Sequence, residues 1–198
     1  MTIAISALIT LFGVEGYAAI GGGFIPASLS VSLVAPHGIL MLPFWLTPLS
    51  ATLVHGGFLH LAFNMVMLVY CGRLLERALG WQGITAQYLI GAYAGAVGHW
   101  AFEPRSAAPM IGASGAISAI LAGYAMLFAE RPVPAIGPIP SRVVRIAWLA
   151  AGWIAIQLLI GFASGGGGTG IAIGAHIGGF AAGLLLARPL LLWRYRNA

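Results

Sequence analysis

The chain has 198 residues, of which 7% are charged, whereas about 25% are charged in a soluble domain. Hydrophobic residues make up 60% of it and the mean hydropathy is +0.97, so polar side chains are too few to cover a soluble surface. The composition therefore excludes a soluble globular domain and indicates a polytopic membrane protein. The net charge of +5 does not indicate a nucleic-acid partner, because the arginines are scattered at segment ends.

Six apolar segments are long enough to cross a bilayer, which takes about 20 residues. They lie at about 2–20, 53–74, 83–102, 111–129, 146–163 and 171–187. Residues 26–50 contain four prolines, which favours a folded loop partly embedded in the membrane. Residues 164–170 are mostly glycine and predict a mobile lid. The predicted fold class is all-α, a polytopic membrane protein with six transmembrane helices in a single domain over residues 1–198.

The arginines predict the orientation in the membrane. An even number of spans puts both termini on one side, and only Arg105 then falls on the other side. The arginines on the side of the termini are Arg73, Arg77, Arg131, Arg142, Arg145, Arg188, Arg194 and Arg196. Because positive charge concentrates on the cytoplasmic side, we expect both termini to be cytoplasmic. We also expect the first span to be retained rather than cleaved, and the absence of an Arg- and Ser-rich transit peptide favours a bacterial inner membrane.

A serine lies between small residues at the head of the fourth span, in Gly112-Ala113-Ser114-Gly115. A hydroxyl at the start of a helix lies near free backbone N–H groups, which can bind a developing oxyanion. The same pattern is also common where membrane helices simply pack closely. The motif alone is therefore compatible with a nucleophile or with ordinary helix packing.

Polar side chains within the spans are costly and are candidates for function. His55 and His60 lie early in the second span, and His176 lies in the sixth. His60 and Asn64 are four residues apart and share a helix face. The topology brings Ser114, His176, His60 and Asn64 to one level on the outer side. Each histidine taken alone is more simply a hydrogen-bonded core residue, but the set at one depth indicates a catalytic site.

The chain contains no Asp, which excludes a Ser-His-Asp triad. His176 would have to take the proton of Ser114 unaided, as in dyad variants of the triad. His60, the Asn64 amide and the Ser114 backbone N–H are candidate donors to the oxyanion. Small residues recur at intervals of four beside the serine and the histidine and predict close contact between the fourth and sixth helices. They are Gly115, Ala119 and Gly123 in one helix, and Gly179 and Gly183 in the other.

Three motifs in the second, fourth and sixth spans resemble those of the rhomboid family of intramembrane serine proteases, over about residues 24–183. They are His55-Gly-Gly-Phe-Leu-His60-Leu-Ala-Phe-Asn64, Gly112-Ala-Ser114-Gly115, and Ala175-His176-Ile-Gly-Gly179 continuing to Gly183. The resemblance implies a rhomboid-like bundle in which Ser114 is the nucleophile and His176 the general base. It implies an oxyanion hole of His60, Asn64 and the Ser114 amide, and a loop-organising role for His55. The supporting glycines are Gly112, Gly115, Gly179 and Gly183.

Two positions depart from the pattern of many relatives. Trp45-Leu46 stands where they have Trp-Arg, which bears on the anchoring of the first loop. Ser118, four residues after the predicted nucleophile, stands where they have an aromatic side chain that stacks on the catalytic histidine. Two alternatives follow: a residue other than 118 holds His176, or His176 is less well oriented than in those relatives.

The predicted function is cleavage of transmembrane segments of other proteins near their outer ends, with such segments and the lipid bilayer as partners. One alternative is a catalytically inactive rhomboid-like protein that binds membrane clients, and another is a small transporter. Retention of both Ser114 and His176 favours the protease over the inactive protein. The chain has no HExxH motif and a single cysteine, Cys71, so no metal or cofactor is predicted and Cys71 is expected to pack between helices.

Overall fold

The structure is a computed structural model that describes residues 1–34, 36–128, 133–163 and 172–196. Within these residues the regular structure is helical, apart from two isolated β-bridges and two short 3-10 turns. The helices are α1 (Thr2–Leu11), α2 (Glu15–Gly22), α3 (Thr47–Ser50), α4 (Phe58–Phe102), α5 (Ser114–Phe128), α6 (Ser141–Ala163) and α7 (Ile173–Arg194). Of the described helices, α4 and α7 are long and apolar enough by length and composition to cross a membrane. The predicted all-α class is confirmed.

The predicted spans coincide with helices, but several boundaries were wrong. The first span is two helices, because the chain turns at Gly13 with φ +64°. The second and third spans both lie in α4, which Gly80 divides into two helices because its backbone is not helical (φ 72°, ψ 168°). The predicted break between residues 74 and 83 contains this residue. The sixth span continues past residue 187 to Arg194. The predicted lid at 164–170 lies outside the described residues.

The start of the second span was also placed too early. Helix α4 begins at Phe58, because Gly57 has φ +105° and ψ 170°, a conformation outside the helical region that a residue with a side chain rarely adopts. A 3-10 turn at Ala51–Leu53 precedes it. Hydropathy predicted that His55 lies within the second span. In the structure it lies in the loop before α4.

Helices α4, α5 and α7 pack on one another, and each of the three contacts the other two. A Cβ atom at Gly179 would collide with the carbonyl of Gly115, and one at Gly183 would collide with the carbonyl of Ala119. Glycine is thus required for α7 to lie this close to α5, as the four-residue spacing predicted. Cys71 is buried in the apolar core between the helices, as expected.

The loop between α2 and α4 is tied to the connection between α4 and α5. The backbones of Phe24 and Met110 exchange two hydrogen bonds, of 3.0 and 2.8 Å. The carbonyl of Trp45 accepts a hydrogen bond of 2.9 Å from the Tyr93 hydroxyl on α4. The loop that lacks the family's arginine at Leu46 is therefore anchored through its backbone. These contacts fix the segment that leads into α5.

Candidate active site

Ser114 is the first residue of α5, directly after a tight turn at Gly112. Gly112 has φ +105°, and its N–H donates a hydrogen bond of 2.9 Å to the carbonyl of Ala51. The N–H groups at the start of a helix have no acceptor within the helix. The turn therefore presents the Ser114 hydroxyl beside backbone donors, with 8% of the residue exposed.

The structure brings Ser114 and His176 together. The Nε2 atom of His176 lies 2.9 Å from the Ser114 Oγ atom, within hydrogen-bond distance. Both residues are buried. The glycine contacts between α5 and α7 allow this approach, since His176 is one turn before Gly179 on the face of α7 that packs on α5. A hydroxyl bonded to a neutral imidazole is the arrangement that activates a serine nucleophile.

His60 lies on the other side of the Gly112 turn. The Gly56 N–H donates to its Nδ1 atom at 3.3 Å, so in the neutral ring the hydrogen is on Nε2. The Nε2 and Cε1 atoms lie against Gly112: a Cβ atom there would be 2.9 and 2.8 Å from them. The loop before α4 thus selects the tautomer that makes His60 a donor facing the turn.

Asn64 lies one helical turn after His60 and is fully buried. Its Nδ2 atom donates to the His60 carbonyl at 2.9 Å, which uses one of its two hydrogens. Among the described residues, its Oδ1 atom has no hydrogen-bond partner. The amide therefore retains a further hydrogen while it is held on the same helix face as His60.

His55 connects three parts of the chain. The Ala113 N–H donates to His55 Nε2 at 3.3 Å, so Nδ1 carries the hydrogen and donates to the Ser6 Oγ atom at 2.8 Å. The Ser6 hydroxyl donates in turn to the Leu53 carbonyl at 2.6 Å. The loop before α4, helix α1 and the turn before Ser114 are therefore linked through one fully buried ring. Sequence reasoning missed Ser6, because a lone serine in an apolar segment has no distinguishing pattern.

Trp153 on α6 is a second residue that sequence reasoning missed. Its indole N–H donates to Ser118 Oγ at 2.6 Å, and the Ser118 hydroxyl donates to the Ser114 carbonyl at 2.7 Å. The Trp153 ring lies edge-on to His176, with 6.2 Å between ring centroids. The departure at Ser118 was the only sequence signal that another residue must approach the histidine.

Comparison with known proteins gives matches over most of the chain. The family model described as "Rhomboid domain" matches residues 44–193. The chain is 33% identical over 145 residues to RHOMBOID-like protein 4 of Arabidopsis thaliana, covering 73% of this chain and 34% of that protein. It is 30% identical over 139 residues to Rhomboid-related protein 2 of Mus musculus, covering 69% and 45%. It is 31% identical over 140 residues to Rhomboid protease GlpG of Pectobacterium atrosepticum, covering 70% and 46%. The chain thus spans less than half the length of these relatives.

Proposed function

The chain belongs to the rhomboid family, and on that premise we propose that it is an intramembrane serine protease that cleaves transmembrane segments of other proteins. The observation that carries the proposal is the 2.9 Å contact between Ser114 Oγ and His176 Nε2. Support also comes from one relative, Rhomboid protease GlpG, whose name describes it as a protease.

In the proposed reaction, the Ser114 hydroxyl gives its proton to His176 Nε2 as its oxygen attacks the scissile carbonyl carbon. The tetrahedral intermediate collapses when His176 protonates the leaving amine, which leaves an ester on Ser114. Water then gives a proton to His176 and attacks the ester. The carboxylic acid departs and Ser114 regains its proton, so the two half-reactions consume one water molecule and restore the dyad.

The negative charge on the carbonyl oxygen would be bound by three donors. They are the Ser114 backbone N–H, the His60 Nε2–H and the second hydrogen of the Asn64 amide. Support comes from the His60 tautomer selected by Gly56 and from the amide hydrogen that Asn64 does not use on its own helix. Each such donor typically lowers the barrier by about 3 kcal/mol.

The substrate would be a helix that unwinds locally, because a peptide bond within a regular helix is poorly exposed to attack. Small and helix-breaking residues near the scissile bond would favour unwinding. We further propose that the site faces the outer side of a bacterial inner membrane, with both termini in the cytoplasm, as the arginine distribution indicates.

An inactive rhomboid-like protein that binds clients is the main alternative. It needs neither a nucleophile nor a base, whereas the nucleophile and base proposed for this chain lie within hydrogen-bond distance of each other. A small transporter would need polar groups along a path across the membrane. The hydrogen-bonded histidines in the described part of the chain cluster instead around the Gly112 turn.

The test is cleavage of a generic single-span substrate in detergent by the wild type, Ser114→Ala and His176→Ala. Matched controls are Ser30→Ala and His37→Ala, since both residues are exposed in the loop after α2. The proposal expects cleavage by the wild type and both controls and none by the dyad variants. Cleavage by Ser114→Ala at the wild-type rate would refute it.

A further inference from the structure

Helix α6 contributes one large side chain to the interior of the protein. Among its described side chains, only Val144 and Trp153 are buried, and Trp153 is 2% exposed. A tryptophan in this position can act as an apolar anchor alone, or its N–H can hold a specific partner. The contacts of Trp153 distinguish these roles.

The indole N–H is bonded to the residue that bonds the Ser114 carbonyl. An indole N–H is only a donor, whereas a serine hydroxyl accepts and donates. Ser118 therefore accepts from Trp153 at 2.6 Å and donates to the Ser114 carbonyl at 2.7 Å, and the two bonds have compatible directions. Bonds in such a chain strengthen each other in a buried environment, and Ser118 is fully buried. These two hydrogen bonds restrain the peptide group that joins Ser114 to Gly115.

The ring of Trp153 also contacts His176 directly. Its plane is inclined by 65° to the imidazole at 6.2 Å between centroids, an edge-to-face arrangement. On α4, Phe63 is stacked with the indole at 6.0 Å and 24°. The indole therefore has its N–H fixed by Ser118 and its ring in contact with Phe63, and it limits the rotation of the His176 ring.

We propose that Trp153 is a positioning residue for the dyad, with its N–H anchored on Ser118 and its ring edge against His176. A serine at position 118 is small enough to admit an aromatic ring from α6 and supplies the acceptor that the ring needs. Trp153 touches no reacting atom, so its contribution is to the orientation of His176 and of the Ser114 backbone. The inference rests on the proposed protease function for its kinetic test, but its geometry is testable without activity.

The kinetic test compares Trp153→Phe, Ser118→Ala and the double variant. Trp153→Phe retains an aromatic ring and removes the N–H, whereas Ser118→Ala removes the acceptor. Trp148→Phe is the matched control, because Trp148 is 67% exposed on the same helix. The readouts are kcat and KM for the single-span substrate and the rate at which a fluorophosphonate labels Ser114.

We expect kcat and the labelling rate to fall by about fivefold in Trp153→Phe, which loses one buried hydrogen bond, and by at least that factor in Ser118→Ala, which loses two. The double variant should lose about the same factor as Ser118→Ala alone, since that substitution already removes the hydrogen bond to Trp153. KM should change little, and Trp148→Phe should match the wild type. The thermal unfolding midpoint should fall in Ser118→Ala, because the buried indole N–H loses its acceptor, so kcat is measured well below that midpoint. Multiplicative losses in the double variant, or losses that only follow a lower unfolding midpoint, would overturn the proposal.

An NMR measurement separates this inference from the proposed function. The imidazole ¹⁵N and ¹H resonances of His176, assigned by comparison with His176→Ala, should shift in Trp153→Phe and Ser118→Ala but not in Trp148→Phe. Unchanged His176 resonances in both variants would overturn the positioning role. A wild type that neither cleaves nor labels would refute the protease instead, and the resonances would still decide the role of Trp153.

Discussion

Replacing Gly112 by alanine should disable the site through His60. The Cβ atom of the alanine would lie 2.8 Å from His60 Cε1 and 2.9 Å from Nε2. An ordinary van der Waals contact is about 3.5 Å or more between carbon atoms, so the ring must move by more than about half an ångström. The φ of +105° adds about 1–3 kcal/mol of backbone strain in the alanine variant.

Displacement of His60 removes one oxyanion donor, which costs roughly 10²–10³ in kcat. The assay is kcat and KM on the single-span substrate, together with the thermal unfolding midpoint. The matched control is Gly38→Ala, because Gly38 has φ +81° but a Cβ atom there would have nothing within 4 Å. It should lose stability through strain but retain kcat.

Two results would contradict this reasoning. One is a Gly112→Ala variant that cleaves within a few fold of the wild type, because His60 could then not be a donor at this turn. The other is an equal loss of kcat in Gly38→Ala, because backbone strain rather than contact with His60 would then explain the effect.

Two further predictions concern the packing around the site. Gly179→Ala should force α7 away from the Gly115 carbonyl and lower both the unfolding midpoint and kcat. Gly152→Ala is the control and should change neither, because there is open space around Gly152. Equal behaviour of the two variants in a thermal melt would contradict the packing argument. His55→Ala should leave the Ala113 N–H without its acceptor and lower the free energy of unfolding by about 1–3 kcal/mol. An unchanged free energy of unfolding would mean that the hydrogen bond to His55 does not stabilise the protein.

Hydropathy located the helices because transmembrane length and composition are local properties of the sequence. Hydropathy wrongly placed His55 in a helix, because the two glycines at 56 and 57 are apolar enough to extend an apolar window. The helix begins only after Gly57, which has a positive φ. Hydropathy also failed at Gly13, where a positive φ divides the first predicted span into two helices. A glycine is neutral in a hydropathy count but decides where the backbone turns.

The juxtaposition of Ser114 and His176 could be expected from sequence, because the spacing of small residues predicts which helix faces meet. The contacts of Trp153 and Ser6 could not be expected from the sequence. Each acts through a partner distant in the chain, Ser118 in one case and His55 in the other. Such pairs depend on how the helices are placed relative to each other, and the periodicity of one helix does not predict that placement.

In the proposed mechanism, Ser114 is a nucleophile that His176 activates. The most direct measurement is fluorophosphonate labelling of the protein in detergent, with the modified residue identified by mass spectrometry. We expect one label on Ser114 in the wild type and none in His176→Ala. A label on another residue, or equal labelling of Ser114 in His176→Ala, would contradict it.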